Sequence, residues 1–245
     1  MTALLSVRDV TRRFGAVTVV DQLSFDVAEG EALGIVGPNG AGKTTLLNLI
    51  ADDLPVNAGS ITFDGRDVTK VPTHQRTPLG IGRTSQIPRP FERMTVFENV
   101  LVGATFGRGS QHRTERADDV AVDALRRIGM LHLANTPAGS LTLLQRKRLE
   151  LGRALATRPR LLLLDEIAGG LTEGEVLELV ELIAEIRRSG VALVWIEHIV
   201  HALLRVVDRM MAINFGQKLA DGVPADVMAS DEVRSIYLGQ DVEAL

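Results

Sequence analysis

The chain contains no cysteine, no long apolar run and no block of basic residues. The absence of cysteine excludes a disulfide framework, thiolate chemistry and cysteine-based metal clusters. No apolar stretch approaches the roughly 18 residues that a membrane-spanning helix needs, and the N-terminus lacks the shape of a signal peptide, so we expect neither feature. A formal net charge of −4 gives nucleic-acid binding no electrostatic support. We therefore expect no nucleic-acid partner.

The 245 residues and their ordinary balance of 45% hydrophobic and 24% charged side chains fit one large globular domain, or a core with an inserted subdomain. Apolar and polar residues alternate through residues 3–30, which predicts an antiparallel sheet. Helical periodicity dominates residues 90–150. From residue 154 onward, apolar strands alternate with helices, which predicts a parallel sheet covered on both faces. The predicted strands are 161–164, 191–196 and 210–213, and the predicted helices are 173–188 and 199–207. The sequence thus predicts an α/β fold.

Residues 37–45 (GPNGAGKTT) match the phosphate-binding pattern G-x-x-x-x-G-K-[ST]. A predicted strand precedes the pattern and a predicted helix follows it, which is the context this loop requires. Glycines let the backbone wrap around a phosphate, and the amides at the start of a helix favour an anion. Lys43 is expected to reach the β- and γ-phosphates, and the Thr44 hydroxyl to ligate Mg²⁺. The predicted nucleotide-binding residues of this loop are Gly37, Pro38, Asn39, Gly40, Ala41, Gly42, Lys43, Thr44 and Thr45.

Two acids, Asp165 and Glu166, directly follow the apolar run 161–164. Ligands of open α/β sheets bind at the carboxyl ends of the strands, so Asp165 is expected near Mg²⁺, with water between them. Glu166 is then placed to orient or deprotonate an attacking water. Alternatively, the acids begin a helix, whose N-terminus favours negative charge. The intact phosphate-binding loop favours the first interpretation.

Gln86 follows a short apolar stretch, and His198 follows a predicted strand. The amide of Gln86 is suited to Mg²⁺ or to the attacking water, and the imidazole of His198 can donate a hydrogen bond to a γ-phosphate. A single glutamine or histidine is more often a structural or surface residue, so position alone assigns neither. Trp195 is expected in the core of the strand before His198.

In their order along the chain, these motifs resemble those of ABC-transporter ATPase subunits. The motifs that carry the resemblance are residues 37–45, Gln86, residues 141–145, Asp165 with Glu166, and His198. The resemblance covers nearly the whole chain, from about Leu5 to Gly239. It implies a single domain, 3–240, with a RecA-like P-loop NTPase core and an antiparallel β subdomain in 3–89 and 154–240. An α-helical subdomain is inserted at 90–153.

The same resemblance implies ATP and Mg²⁺ as cofactors. Glu166, His198 and Gln86 would be catalytic, Thr44, Gln86 and Asp165 would hold the metal, and Phe14 would stack on adenine. The implied partners are a second ATPase subunit, transmembrane permease subunits and, indirectly, a substrate-binding protein. The chain would then lie peripherally on the cytoplasmic face of the inner or plasma membrane. Residues 83–91, 95–100, 153–159 and 236–239 are similar to those of importers of branched-chain amino acids.

The segment 141–145 departs from the family pattern. The family usually has Leu-Ser-Gly-Gly-Gln, where this chain has Leu141-Thr142-Leu143-Leu144-Gln145. In the family this segment closes over the γ-phosphate held by the partner ATPase subunit. Thr142, Leu144 and Gln145 would face that partner's ATP, and the bulk of Leu144 should obstruct a backbone approach to the phosphate. We expect a hetero- or homodimer in which the site completed by this segment is impaired.

Three interpretations remain open at this stage. The first is the ATPase of an importer for branched-chain or similar amino acids. The second is the same ATPase class with another cargo, such as urea, short amides or a lipid. The third is an ABC-type scaffold or nucleotide-responsive regulator that transports nothing. A small-molecule kinase or GTPase fits less well, because Gln86, His198 and the segment 141–145 would have no role in it.

Overall fold

The computed structural model describes residues 3–108 and 115–238, with side chains described up to residue 235. These residues fall into two compact units: unit one takes residues 3–71 and 192–238, and unit two takes 72–108 and 115–191. This partition differs from the expected subdomain boundaries at 90 and 153, which stay a prediction. Gly239 and the expected domain end at residue 240 lie outside the described residues.

Strands and helices alternate along most of the described chain. The strands are β1 (Leu5–Phe14), β2 (Val17–Val27), β3 (Ala32–Val36), β4 (Ala58–Phe63), β5 (Arg66–Asp67), β6 (Ile81–Arg83), β7 (Leu161–Asp165), β8 (Ala192–Ile196), β9 (Arg209–Asn214) and β10 (Gln217–Gly222). The helices are α1 (Lys43–Ala51), α2 (Thr73–Leu79), α3 (Val96–Phe106), α4 (Ala117–Arg127), α5 (Leu143–Ala156), α6 (Glu173–Arg188), α7 (Val200–Leu204), α8 (Pro224–Ala229) and α9 (Asp231–Leu238).

Unit one contains the antiparallel sheet that the alternating N-terminal pattern predicts. Its strand order is β2-β1-β4-β5, and Leu5 of β1 is paired with Val27 on one side and Phe63 on the other. Leu5, Val7, Val27 and Phe63 are all buried, so one face of this sheet forms core. A two-sided sheet with one buried face explains the period-two alternation of the sequence.

Unit one also contains parallel strands, in the order β10-β9-β3-β8. β3 is parallel to both β8 and β9, and every residue of β3 and β8 is buried, including Trp195. Strands covered on both faces need continuous apolar side chains, which is the pattern that identified them. β10 is antiparallel to β9 and was not predicted, because its residues are exposed or half-buried and show no apolar run.

Unit two contains β6, which is parallel to β7, and helices α2 to α6. Helices α2 and α5 pack against β6, and α3, α4 and α5 pack against one another. Helices α3, α5 and α6 each begin with a capping box, in which a threonine hydroxyl accepts the amide three residues on and that residue's side chain reaches back. The capping threonines are Thr95, Thr142 and Thr172. These caps fix the helix starts, so the position of residues 141–145 at the head of α5 is locally encoded.

The helix predicted over 199–207 is shorter in the structure, where α7 ends at Leu204. The amides of Val206 and Val207 both bond to the carbonyl of Leu203, and both valines are buried. The chain therefore turns to place these two side chains in the core of unit one before β9 begins. The apolar residues of 199–207 are therefore buried as their periodicity predicts, but Val206 and Val207 lie in a turn after the helix.

Candidate functional site

The phosphate-binding loop lies in unit one, between β3 and α1, as predicted. Gly37 and Gly42 have φ values of +155° and +98°, and added Cβ atoms would lie 2.1 Å from the Ile213 carbonyl oxygen and 2.4 Å from that of Val19. Only glycine fits both positions without displacing the neighbouring backbone. The loop is therefore shaped by its close packing against β9 and β2. Gly42 is also the N-cap of α1, and it has no side chain to occupy the space before the helix.

Lys43 is the first residue of α1, and only 5% of its surface is exposed. Its Nζ atom donates hydrogen bonds to the carbonyls of Gly37 and Pro38, at 2.7 and 2.9 Å. The ammonium group is thus held inside the turn of the loop, close to the positive end of the helix dipole. The loop combines a fixed cation with a helix N-terminus, which is the arrangement that binds phosphate oxygens.

Two further predicted residues lie in unit one. Phe14 ends β1, is 44% exposed, and has the guanidinium carbon of Arg12 at 4.5 Å from its ring centroid. His198 is the second residue after β8 and is exposed, while Glu197, which lies between them, is 3% exposed. The His198 amide donates to the Glu197 carboxylate at 3.2 Å, which fixes the backbone of this strand end.

Unit two brings Gln86 and Glu166 into direct contact: Gln86 Nε2 donates to Glu166 Oε2 at 2.5 Å. Asp165 is the last residue of β7, is 1% exposed, and has Arg83 Nη2 at 3.4 Å from its Oδ2 atom. Glu166 adopts a left-handed backbone conformation with φ +45°, an uncommon conformation for a residue with a side chain. Such strain is characteristic of functional positions.

The acids at the end of β7 do not begin a helix. Residues 166–170 form a bend and turns, and α6 begins only after Thr172. The alternative interpretation, a helix N-terminus that favours acids, is therefore wrong for Asp165 and Glu166. Arg83 was missed by the sequence reasoning, although a cation ending a short apolar strand was a usable signal. The parallel pairing of β6 with β7 brings it to Asp165.

The segment 141–145 forms the start of α5. Thr142 is its N-cap: its hydroxyl accepts the Gln145 amide at 3.4 Å, and Gln145 Oε1 accepts the Thr142 amide at 3.0 Å. Leu144 is half-buried, whereas Leu143 is 41% exposed. The structure therefore adds Leu143, which the sequence reasoning did not single out, as the more exposed apolar side chain of this segment.

The predicted site residues are divided between the two units. The phosphate-binding loop, Phe14 and His198 belong to unit one, and Gln86, Asp165, Glu166 and residues 141–145 belong to unit two. Within the described ranges, no group of three or more histidine or acidic side chains is placed to bind a metal by itself. In the same ranges, no helix is long and apolar enough to cross a bilayer.

Comparison with known proteins shows which family has this sequence and fold. Residues 20–169 match the family model described as ABC transporter. The chain is 36% identical to the high-affinity branched-chain amino acid transport ATP-binding protein LivG of Salmonella typhimurium, over 97% of this chain and 98% of LivG. It is 31% identical to the lipopolysaccharide export system ATP-binding protein LptB of Escherichia coli, over 98% of each chain.

A solved ATP-binding cassette of an ABC transporter, in its ADP conformation, has the same fold. The TM-score is 0.87 at 29% identity, and the match covers 98% of this chain and all of the other. This agreement confirms the α/β fold with a RecA-like P-loop core. The phosphate-binding loop, the family match and the two full-length relatives together show that this chain belongs to the ABC transporter family, as an ATP-binding subunit that hydrolyses ATP.

Proposed function

We propose that the chain is the peripheral ATPase of an importer that moves branched-chain or similar amino acids through a separate permease. The observation that carries the ATPase part is the phosphate-binding loop, in which buried Lys43 is fixed by the Gly37 and Pro38 carbonyls. The likeness to LivG over almost the full length of both chains supports the cargo. The chain would then lie on the cytoplasmic face of the inner or plasma membrane.

In this proposal, residues 37–45 bind the triphosphate and Phe14 stacks on the adenine. The loop amides and Lys43 supply positive charge to the β- and γ-phosphates at no cost in reorganisation, because the loop is already folded around the ammonium group. Phe14 is exposed enough to offer a ring face, and Arg12 lies over the same ring. Aromatic stacking with a base contributes about 1–3 kcal/mol.

The proposed metal ligands are Thr44, Gln86 and Asp165. A hydroxyl, an amide oxygen and a carboxylate are hard oxygen donors, which suit Mg²⁺ and leave room for water and phosphate oxygens. The few protein ligands also agree with the lack of a self-sufficient metal cluster among the described residues. When bound, Mg²⁺ neutralises charge on the β- and γ-phosphates. Arg83 would balance the buried Asp165 carboxylate.

Glu166 is proposed to activate the water that attacks the γ-phosphorus. The water oxygen forms the new P–O bond, the bond to the β,γ-bridging oxygen breaks, and the proton of the water passes towards Glu166; the products are ADP and phosphate. Gln86, whose amide contacts the Glu166 carboxylate, would orient that carboxylate. His198 would donate a hydrogen bond to the γ-phosphate oxygens.

The proposed partners are a second ATPase subunit, transmembrane permease subunits and a substrate-binding protein. The residues that bind and attack ATP in this chain, Lys43 and Glu166, agree with the family pattern, while the segment 141–145 does not. We infer that the dimer forms two composite ATP sites. This chain contributes an intact phosphate-binding loop to one of them and the altered segment 141–145 to the other, which is thereby weakened. In a heterodimer, one composite site would hydrolyse ATP and the other would mainly hold it.

Lipid export is the second candidate, because the full-length likeness to LptB is only slightly weaker. Reconstitution separates the two. The chain would be purified with the permease subunits that bind it, placed in liposomes with the matching substrate-binding protein, and given ATP with radiolabelled leucine or urea. We expect leucine uptake that requires ATP. Leucine uptake at the level of liposomes without ATP, combined with ATP-dependent lipid release, would establish the export alternative.

A further inference from the structure

The segment that follows Gln86 is attached to α5 through the backbone of one residue, Arg89. The Arg89 amide donates to Glu150 Oε1 at 2.8 Å, and the Arg89 carbonyl accepts from Arg153 Nη1 at 2.9 Å. Arg153 also donates to the same Glu150 oxygen at 3.1 Å. Both backbone polar groups of Arg89 are therefore bound by charged side chains that pair with each other, and Glu150 is only 7% exposed. Hydrogen bonds of this charge-assisted kind are the strong ones.

The next residues are fixed as firmly. The Arg153 guanidinium lies over the Phe91 ring, at 4.9 Å from its centroid. Asn99 of α3, which is fully buried, accepts the Phe91 amide at 2.8 Å and donates to the Phe91 carbonyl at 3.1 Å. A Cβ on Gly103 would lie 2.2 Å from the Arg153 carbonyl, so α3 and α5 are in backbone contact. The segment is therefore held by two helices that pack directly on each other.

A third attachment joins the segment to the chain that leads into α5. The Gly139 amide donates to the Glu92 carbonyl at 3.0 Å, and the Ala138 amide donates to the Met94 carbonyl at 2.9 Å. Thr95 forms an isolated antiparallel bridge with Pro137. Residues 92–95 thus lie beside residues 136–139, which lie three to six positions before Thr142. Residues 89–95 are therefore joined to α5 and to the chain before it by contacts that all lie within unit two.

We propose that Glu150 and Arg153 form a positioning clamp, through which the placement of Gln86 sets the placement of residues 142–145 at the head of α5. Gln86 contacts Glu166 at one end of this path, and the opposite end is the helix start offered to the second ATPase subunit. Charged side chains that hold both backbone polar groups of Arg89 transmit its displacement to α5, because closely packed elements shift as units rather than deform. The inference rests on the proposed function for its transport readout.

The geometry gives each member of the clamp a distinct chemical requirement. Glu150 must accept the Arg89 amide, which glutamine can also do, although it loses the charge. Arg153 donates to Arg89 and Glu150 through the same Nη1 atom while its guanidinium plane covers Phe91. A lysine side chain is one bond shorter and has no such plane. Glu150→Gln should therefore preserve most of the clamp, and Glu150→Ala and Arg153→Lys should open it.

A matched control exists on the same helix. Arg148 of α5 donates to Glu178 of α6 at 2.7 Å, a pair separate from the bonds that hold Arg89 and Phe91. Glu178→Ala removes one ion pair from α5 and leaves the clamp intact. Loss of α5 stability in general would affect this variant and the clamp variants alike.

The experiment measures three quantities on the full chain and on its complex with permease in nanodiscs: the basal ATPase rate, the rate stimulated by the loaded substrate-binding protein, and hydrogen exchange of the Arg89 amide. In Glu150→Ala and Arg153→Lys we expect the stimulated rate to fall about tenfold, the equivalent of one lost charge-assisted hydrogen bond. The basal rate and the KM for ATP should change less than about twofold, which corresponds to under roughly 0.5 kcal/mol. The Arg89 amide should exchange at least about tenfold faster.

Glu150→Gln should recover most of the stimulated rate, and Glu178→Ala should behave as wild type. Equal falls in basal and stimulated rates, or the same loss in Glu178→Ala, would overturn the clamp. If permease with the loaded substrate-binding protein failed to raise the ATPase rate of the wild-type chain, the proposed function would be contradicted instead. In that event the Arg89 exchange rate still decides whether the clamp exists, because unchanged exchange in Glu150→Ala overturns it by itself.

Discussion

Gln86 donates a hydrogen bond of 2.5 Å to the carboxylate of Glu166, a residue 80 positions later in the chain. Gln86 follows β6 and Glu166 follows β7, so the parallel pairing of two short strands brings them together. The contact joins the residue proposed to activate water to the segment that leads into the helices of unit two. Neither residue alone identifies a catalytic site in the sequence, but their contact places both residues in the candidate site.

Removal of the Gln86 amide should slow hydrolysis without abolishing nucleotide binding. In Gln86→Ala we expect kcat to fall about tenfold, because one hydrogen bond to a charged group contributes roughly 1.5 kcal/mol. The Kd for ATP should change less than about threefold, since the phosphate-binding loop is untouched. Steady-state ATPase assays and fluorescent-nucleotide titration measure the two values. Gln75→Ala, an exposed glutamine on α2, is the control, and a kcat for Gln86→Ala equal to that of this control would remove Gln86 from the site.

The phosphate-binding loop should tolerate no side chain at Gly42. A Cβ there would lie 2.4 Å from the Val19 carbonyl oxygen, at a φ of +98°. We expect Gly42→Ala to lower the free energy of unfolding by about 1–3 kcal/mol and to remove ATP binding. Gly174→Ala is the matched control, because it lies in the first turn of α6 with no atom within 4 Å of the added Cβ. Equal denaturation midpoints and ATP affinities for the two variants would contradict the tight-packing argument.

The bulk at the head of α5 should limit turnover. We expect Leu144→Gly to raise the ATPase rate of the assembled pair by at least about threefold, which is roughly 0.7 kcal/mol of barrier. Leu143→Gly should add to this effect, because Leu143 is the more exposed of the two. Leu131→Gly, another exposed leucine of unit two, should leave the rate unchanged once its stability is accounted for. No gain from either change would show that bulk at 143–144 is not what weakens this half-site.

Two capping boxes should make stability depend on pH in the acid range. Hydrogen bonds from the backbone amides of Thr95 and Thr172 lower the pKa of Glu98 and of Glu175 below the ordinary value of 4.5. An acid whose pKa is lower in the folded state stabilises the fold above its unfolded pKa, and this contribution disappears as pH falls through the folded pKa. The thermal unfolding midpoint should therefore decline below about pH 4.5.

The double variant Glu98→Gln, Glu175→Gln separates this contribution from other acids. Glutamine still accepts the backbone amide but does not titrate, so the variant should be less stable at pH 7 and should lose less stability between pH 5 and pH 3. Calorimetry across that range gives both slopes. Parallel curves for the wild type and the variant would show that the capping boxes do not contribute to the acid response.

The sequence predicted those parts of the fold in which local pattern and tertiary structure agree. β3, β7, β8 and β9 are continuous apolar strands, and their type and approximate bounds were confirmed. β6 and β10 escaped prediction, because three residues and a polar edge strand carry no periodic signal. Their positions depend on pairing with β7 and β9, which is long-range information.

The site could be predicted where a contiguous motif determines the local backbone. It was harder to predict where residues distant in sequence contact each other. Residues 37–45 encode their own loop, since glycines, lysine and helix start are contiguous. The contact of Arg83 with Asp165 and the clamp on Arg89 join residues that lie 82 and 61 or more positions apart. No spacing rule along one chain reports such pairs. The capping boxes are the opposite case, because Thr142 and Gln145 recognise each other within one helical turn.

The central claim is that this chain binds ATP through Lys43 and hydrolyses it through Glu166. The most direct measurement is ATP binding and steady-state hydrolysis of Glu166→Gln, with Lys43→Ala measured beside it in the same assembled complex. The account predicts that Glu166→Gln binds ATP normally and hydrolyses it at least about a hundredfold more slowly, while Lys43→Ala fails to bind. Wild-type hydrolysis in Glu166→Gln, or undiminished ATP binding in Lys43→Ala, would contradict it.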